Sequence, residues 1–266
     1  MVVTHAGAEH LDIAVGGGAL FYERAGAGSA VVLLHGWTLD SRMWTPQLNA
    51  LAATHLLIAP DRRGFGRSSA PPDLSREADD VARLLDAGRA DSAVIVGMSQ
   101  AGRVAADFAQ RFSDRTRGLV LQGAPLGDVS PAPSDGEAIP IETYAALVRA
   151  GRLDEMKRLW GAHPLMRTTT PAAAACAAAM LADYMGRDLA AMPAAAIEDV
   201  DPAHITVPML IITGAQDVPG RRRGADALAS KLPHASRVEI EGAGHLCNLC
   251  APDAYNAALN RFLNAL

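Results

Sequence analysis

Three residues that follow predicted strands, Ser99, Asp217 and His245, have the types needed for nucleophilic attack on a carbonyl carbon. A serine hydroxyl is a weak nucleophile at neutral pH, so it needs a neighbouring base and donors that hold the oxyanion. Ser99 stands in Gly-Met-Ser-Gln-Ala, residues 97–101, after an apolar run and before a helical pattern. This context favours a nucleophile at a strand-to-helix turn over a serine that only caps a helix.

A sharp turn at Ser99 crowds the backbone and requires small residues two positions before and two positions after it. Gly97 meets the first requirement. Ala101 stands at the second position, and Gly102 follows it directly. One added methyl group weakens the match to G-x-S-x-G without abolishing it.

His245 is the predicted base, because it follows a strand and ends the glycine-rich stretch Gly-Ala-Gly-His, residues 242–245. A carboxylate would fix the tautomer of this imidazole and stabilise the imidazolium. Asp217, after the apolar run 209–213, is the preferred acid, and Asp128, after the preceding strand, is the alternative. Either aspartate would otherwise be read as an ordinary turn residue.

The backbone N–H groups of Trp37 and Gln100 are the predicted oxyanion donors. Gly36 allows a tight turn before Trp37, and Gln100 follows the nucleophile directly. Because only backbone donors matter, we expect the side chains of Trp37 and Gln100 to be free to shape specificity. Packing in the core is the alternative for the Trp37 ring.

The elements that must position these residues alternate between strands and helices. Short apolar runs bounded by glycine predict strands at residues 11–15, 19–24, 30–34, 55–59, 92–96, 118–122, 209–213 and 237–241. Helical patterns cover 41–53, 75–87 (with Ser75 as N-cap), 100–112, 225–232 and 254–266. Such alternation implies βαβ units and a parallel sheet buried on both faces, with reactive groups at the carboxyl ends of its strands.

The alternation breaks between residues 126 and 207, where prolines punctuate helical patterns at 141–153, 154–161 and 171–184. We find no convincing strand there. The sequence therefore predicts a core domain of residues 1–125 and 208–266, and an inserted helical unit of residues 126–207.

Composition narrows the class of protein. The chain has 266 residues, half of them hydrophobic, and a formal charge of −5. Its densest basic run, residues 221–223, lacks interleaved aromatic residues, so it predicts a solvated helix start and no nucleic-acid partner. No signal peptide or membrane span is visible, and three cysteines favour a reducing, cytoplasmic location. The oligomeric state is left open.

Cys247 and Cys250 have C-x-x-C spacing. A zinc site would need further ligands, and a thioredoxin-like motif would open a helix near the start of its sheet. We therefore expect ordinary packing beside the histidine loop, with an oxidisable pair near His245 as the alternative. No metal and no cofactor is predicted.

Five ordered segments together resemble the α/β-hydrolase superfamily over nearly the whole chain. They are His-Gly-Trp at 35–37, Asp-Arg-Arg-Gly-Phe-Gly-Arg-Ser at 61–68, residues 97–102 as the nucleophile elbow, Gly-Ala-Gln-Asp at 214–217, and residues 242–245. The resemblance is nearest to small bacterial esterases, enol-lactonases and cofactor-free haloperoxidases. It implies an α/β-hydrolase fold: a mostly parallel eight-stranded sheet, helices on both faces, and residues 126–207 as a cap over the active site. Ala101 departs from the usual glycine, and Cys250 stands where these families often carry glutamate.

The resemblance implies hydrolysis of a small, mostly apolar carboxylic ester through an acyl-enzyme. A lactone, a carbon–carbon bond beside a ketone, or perhydrolysis would use the same triad. A ligand-binding protein on a hydrolase fold is the alternative from another class. The inserted unit is rich in Ala, Leu and Met, which indicates an apolar pocket, and no arginine is assigned as a carboxylate clamp.

Overall fold

One mixed sheet organises the part of the chain that the computed structural model describes, residues 7–124, 126, 137–192, 197 and 200–266. Its strands are β1 (Glu9–Val15), β2 (Gly18–Ala25), β3 (Ser29–Leu34), β4 (His55–Pro60), β5 (Ala93–Met98), β6 (Thr116–Gln122), β7 (Met209–Gly214) and β8 (Ala235–Ile240). The spatial order is β1-β2-β4-β3-β5-β6-β7-β8. β2 pairs antiparallel with β1 and β4, and the other pairs are parallel. All eight strands predicted from the sequence are present.

Helices connect these strands. They are α1 (Thr45–Leu51), α2 (Glu77–Ala87), α3 (Ala101–Arg111), α4 (Ile141–Arg149), α5 (Leu153–Gly161), α6 (Pro171–Asp183), α7 (Arg187–Ala190), α8 (Pro219–Lys231), α9 (Cys247–Cys250) and α10 (Pro252–Leu263). Short 3-10 turns precede α1 and α2, at Ser41–Trp44 and Leu74–Arg76.

Both faces of the central strands are buried, which explains why their sequences run continuously apolar. Alternate residues of β3 point to opposite sides: Val31 and Leu33 join one core cluster, and Val32 and Leu34 join the other. The first cluster also includes residues of α1, α10 and the helices between β6 and β7. The second includes residues of α2, α3 and α8.

The parallel register brings the carboxyl ends of the central strands to one edge. Leu34 pairs with Gly97, and Gly97 pairs with Leu121. β3 lies between β4 and β5, so the chain leaves β3 to one side and later returns on the other. Such a reversal of strand order opens a crevice at the carboxyl ends, which is where ligands bind in α/β sheets.

Helices α4 to α7 lie between β6 and β7 in sequence, as the interruption of the strand pattern predicts. α4 contacts α5 and α7, and α5 contacts α6. The division of the chain into a core and a cap of residues 126–207 remains a prediction. In the described ranges, no helix has the length and hydropathy needed to cross a membrane.

Two local expectations are wrong. Ser75 does not cap a helix: its own N–H donates to the Asp73 side chain, at 3.2 Å, and α2 begins at Glu77. The run 221–223 is not a fully solvated helix start either, because α8 already begins at Pro219 and Arg221 is half-buried. A local sequence pattern does not show which side of a helix meets the rest of the fold.

Buried charges hold the loop after β4 against the sheet. Arg63 forms an ion pair with Asp80 of α2, with side-chain exposures of 1% and 6%. The third guanidinium nitrogen of Arg63, Nη1, donates to the Gly16 carbonyl, at 3.0 Å. Removing one partner of such a pair leaves an uncompensated buried charge, which typically costs about 3–5 kcal/mol.

The neighbouring acids Asp79 and Asp80 offer a matched test of this pair. We expect Asp80→Ala to lower the free energy of unfolding by about 3–5 kcal/mol, because Arg63 stays buried without its carboxylate. Asp79→Ala should lower it by less than about 1 kcal/mol, since the Asp79–Arg111 pair is exposed (50% and 38%). Urea denaturation of both variants measures the difference. Equal effects would contradict a structural role for the buried pair.

Candidate active site

Ser99 occupies a strained turn between β5 and α3. Its φ of 53° lies in the left-handed region, which residues other than glycine rarely adopt. Its N–H donates to the Gln122 carbonyl, at 2.8 Å, and its carbonyl accepts from Gly102, at 2.9 Å. A Cβ added to Gly97 would lie 2.5 Å from the Ala101 carbonyl oxygen, so the turn requires glycine there. Ala101 itself is fully buried, and its methyl group, the departure from G-x-S-x-G, packs in the second core cluster.

His245 and Asp217 lie together at the adjoining strand ends. His245 Nδ1 is 2.9 Å from Asp217 Oδ2, and both side chains are buried. Asp217 Oδ1 accepts from the Val218 N–H, at 2.7 Å, which fixes the carboxylate. Asp128, the alternative acid, lies outside the described residues. The choice between the two acids therefore stays a prediction that favours Asp217.

Gly123 leaves the space that the His245 ring fills. It has a φ of +55°, and a Cβ there would lie 2.7 Å from two ring atoms of His245. The same Cβ would lie 3.2 Å from an Asp217 oxygen. The residue after β6 must therefore be glycine for the imidazole and the carboxylate to meet.

Gln122, the last residue of β6, contacts both Ser99 and His245. Its carbonyl accepts the Ser99 N–H, and its side-chain Nε2 donates to the His245 carbonyl, at 3.1 Å. Nε2 also donates to Asn248 Oδ1, at 3.0 Å. One residue thus ties the backbone of the serine turn to the backbone of the histidine loop. The only signal of this role in the sequence is a polar residue at the end of an apolar strand, which by itself does not indicate these contacts.

His35 holds the loop after β3 that carries Trp37. Its Nε2 accepts from the Arg62 backbone N–H, at 2.8 Å, so Nδ1 carries the proton and donates to the Gly36 carbonyl, at 2.8 Å. Burial, with the nearby Arg62 charge, lowers the pKa of His35 to about 3. The ring is therefore neutral at physiological pH and acts as a fixed hydrogen-bonding link.

The side chains of Trp37 and Gln100, which we expected to shape specificity, are held by hydrogen bonds. Trp37 Nε1 donates to Asp188 of α7, at 2.7 Å, and Tyr184 Oη donates to the other Asp188 oxygen, at 2.5 Å. Gln100 Oε1 accepts from the Arg62 guanidinium, at 3.2 Å. These hydrogen bonds fix the two segments whose backbone N–H groups are the predicted oxyanion donors.

A cavity of about 320 Å³ opens beside Ser99 and His245, a volume within the range of small-molecule sites. Ser99, His245, Trp37 and Gln100 line it together. Most of the remaining wall is apolar: Leu39, Met98, Ile139, Ile141, Trp160, Leu165, Met166 and Leu246. Arg103 and Arg221 complete the wall, a position that their local sequence does not indicate.

Cys247 and Cys250 lie buried in α9, behind the histidine loop. Burial raises the pKa of the Cys247 thiol well above its usual range, which keeps it protonated. Cys250 Sγ accepts from the Thr169 N–H, at 3.4 Å. Within the described ranges, no three His, Cys, Asp or Glu side chains are grouped so that they could hold a metal ion.

Residues 31–258 match the model of the Alpha/beta hydrolase family. The chain belongs to this family. The match spans all the strand ends that carry the candidate site. Together with the sheet order and the serine turn, it places this chain among hydrolases built on an α/β sheet.

Two solved structures show how far this hydrolase resembles known ones. An esterase from Rhodococcus sp. ECU1013 is 25% identical with a TM-score of 0.81, covering 97% of this chain and 99% of that one. A bromoperoxidase from Bacillus anthracis is 26% identical with a TM-score of 0.78, and the coverages are again 97% and 99%.

A sequence relative matches over a shorter stretch. An epoxide hydrolase from Caballeronia sordidicola is 45% identical over 97 residues, which is 34% of this chain and 30% of that protein. This hydrolase therefore matches less than a third of that relative's length.

Replacing Gln122 with methionine tests the link between the serine and histidine segments. Gln122 Oε1 accepts no hydrogen bond from a described residue, so the cost comes from the His245 carbonyl and Asn248 Oδ1, which lose their donor. We expect Gln122→Met to lower the free energy of unfolding by about 1–3 kcal/mol. Guanidinium denaturation measures this change. An unchanged midpoint and slope would show that the link contributes nothing to stability.

Proposed function

We propose that the protein hydrolyses small carboxylic esters through an acyl-enzyme, with Ser99 as nucleophile, His245 as base and Asp217 as acid. One observation carries the proposal. The strained Ser99 turn and His245 line one cavity, and His245 Nδ1 lies 2.9 Å from Asp217 Oδ2. These are the elements of an acyl-transfer site on the fold of a hydrolase.

The proposed reaction begins when His245 Nε2 takes the proton of the Ser99 hydroxyl as its oxygen attacks the ester carbonyl. Asp217 accepts the Nδ1 hydrogen bond and stabilises the imidazolium that forms. The backbone N–H groups of Trp37 and Gln100 donate to the oxyanion of the tetrahedral intermediate. His245 then protonates the leaving alcohol, and water activated by the same imidazole releases the acid. No step requires a metal or a cofactor.

The nucleophile type separates ester hydrolysis from the reaction named for the epoxide hydrolase relative. If a serine oxygen opened an epoxide, the product would be an ether, which has no carbonyl for water to attack. An acyl-serine, in contrast, keeps a carbonyl and is hydrolysed in the second half of the cycle. Ser99 therefore favours esters, and the overall likeness to the Rhodococcus esterase supports this choice.

The likeness to a bromoperoxidase favours a second reaction of the same acyl-enzyme. Hydrogen peroxide would replace water as the acceptor and give a peracid and free Ser99. The two reactions share every residue of the proposed site. They are separated by measuring peracid formation from an ester in the presence of peroxide.

Replacing Ser99 with alanine tests the nucleophile. We expect Ser99→Ala to lower kcat for p-nitrophenyl acetate at least about 10³-fold, because the acyl-enzyme cannot form. Ser92→Ala, at the opposite end of β5, is the matched control and should keep full activity. A fluorophosphonate probe should label wild type on the peptide that contains Ser99. Turnover or labelling that persists in Ser99→Ala would overturn the assignment.

The acid is tested by paired amide substitutions. We expect Asp217→Asn to lower kcat about 10³- to 10⁴-fold, because an amide no longer stabilises the required tautomer and the imidazolium. Asp128→Asn should retain activity, and Asp226→Asn, an exposed acid of α8, serves as the control. Steady-state kinetics of the three variants compare the roles. A large loss in Asp128→Asn with activity kept in Asp217→Asn would reverse the assignment.

A further inference from the structure

Two arginines interrupt the apolar wall of the cavity beside Ser99. Arg221 lies in the first turn of α8, and Arg103 lies in the first turn of α3, which follows the serine turn. Guanidinium groups remain charged in proteins, and a charge beside apolar surface is costly unless something pairs with it. An arginine in this wall that is withdrawn from solvent therefore requires a partner.

Arg221 is the more withdrawn of the two. It is half-buried, whereas Arg103 is exposed. Burial lowers the pKa of the Arg221 guanidinium, and the carboxylates of Asp217 and Glu137 act in the opposite direction. These acids are close enough to interact with its charge. The N–H groups of the Arg221 guanidinium, however, also require hydrogen-bond acceptors.

Neither acid is placed as a hydrogen-bonded partner of Arg221. Asp217 accepts from His245 and from the Val218 N–H, and both Glu137 oxygens accept from the Gly220 N–H, at 3.2 and 3.1 Å. Within the part of the chain that the structure describes, the Arg221 guanidinium donates no hydrogen bond. Its five N–H donors therefore have no described protein acceptor, and the residue itself lines the cavity.

Two other arginines packed against the fold are hydrogen-bonded. Arg62 donates to Glu77, at 2.6 Å, and to the His35 carbonyl, at 3.0 Å. Arg187 donates to the Gly64 and Gly66 carbonyls, at 3.1 and 3.3 Å. In contrast to Arg62 and Arg187, Arg221, which lines the cavity beside Ser99, donates no hydrogen bond to a described residue. A bound carboxylate would supply hydrogen-bond acceptors with matching geometry.

We propose that Arg221, assisted by Arg103, binds a carboxylate of the substrate, so that the preferred substrates are small esters carrying a second, free carboxylate group. This inference rests on the proposed ester hydrolysis, whose scissile carbonyl lies at Ser99. A planar guanidinium forms paired hydrogen bonds with a carboxylate, and the apolar wall takes the hydrocarbon between the two groups. The net charge of −5 disfavours the approach of an anionic substrate, and a cation at the cavity offsets this repulsion locally.

The test compares monoethyl succinate, which carries a carboxylate, with diethyl succinate, which is neutral. We expect wild type to have the higher kcat/KM for the monoester. Arg221→Met should lower the ratio of the two kcat/KM values about 10- to 100-fold, mainly through KM for the monoester. Using the ratio cancels any general effect of the change near Asp217. Arg221→Lys, which keeps the charge, should restore part of the ratio.

Arg222→Met is the matched control, because Arg222 pairs with Glu239, at 2.9 Å, and does not line the cavity. Its ratio should equal that of wild type. A wild-type preference for the diester, or an unchanged ratio in Arg221→Met, would overturn the inference while ester hydrolysis stands.

A binding measurement separates the inference from the proposed function. Calorimetry of monoethyl succinate with Ser99→Ala, and with Ser99→Ala combined with Arg221→Met, reports the carboxylate site without turnover. Weaker binding in the double variant supports the inference even if wild type hydrolyses neither ester, a result that would refute only the proposed function. Equal binding to both variants, or no binding to Ser99→Ala, refutes the carboxylate site.

Discussion

The hydrogen bond from the Ser99 N–H to the Gln122 carbonyl is the interaction on which the candidate site depends. It carries the pairing of β5 and β6 one residue beyond the strand, into a turn whose φ of 53° is unfavourable for serine. Two glycines make this turn sterically possible. Gly97 leaves room for the Ala101 carbonyl, and Gly102 packs directly against Ala124. The same Gln122 holds the His245 carbonyl through its side chain. Serine and histidine thus share one anchor, though they lie far apart in sequence.

Much of the fold follows from the sequence because its strands are short, apolar and buried on both faces. Each predicted strand is present, and Ser99, Asp217 and His245 follow the carboxyl ends of β5, β7 and β8, where the pattern places them. Ser99 and His245 come to one cavity, and Asp217 reaches the His245 ring, because parallel strands end at a common edge. Their catalytic roles are proposed from this geometry, and Asp217 is the predicted acid in preference to Asp128.

What the sequence could not provide are contacts made by side chains across elements distant in the chain. The ties of Trp37 to Asp188 and of Gln100 to Arg62 join segments with no shared local pattern. Arg221 belongs to a run of three arginines whose sequence is typical of a solvated surface, and only the packing of α8 shows which one faces the cavity. Ser75 resembles a cap in type, but Asp73 accepts the hydrogen bond instead.

The hydrogen bond between Trp37 and Asp188 couples helix α7 to the candidate oxyanion segment. Asp188 belongs to α7, and its carboxylate receives donors from both Trp37 and Tyr184. Trp160 of α5 forms a second link to the same segment by donating a hydrogen bond to the Thr38 hydroxyl, at 2.7 Å. Moving α5 and α7 outward to admit a bulkier molecule would break the charge-assisted hydrogen bonds to Asp188 and displace Trp37, which precedes Thr38. Any displacement of α5 or α7 would therefore also displace the segment of the proposed oxyanion donor, so the position of these helices and the alignment of the candidate site are coupled.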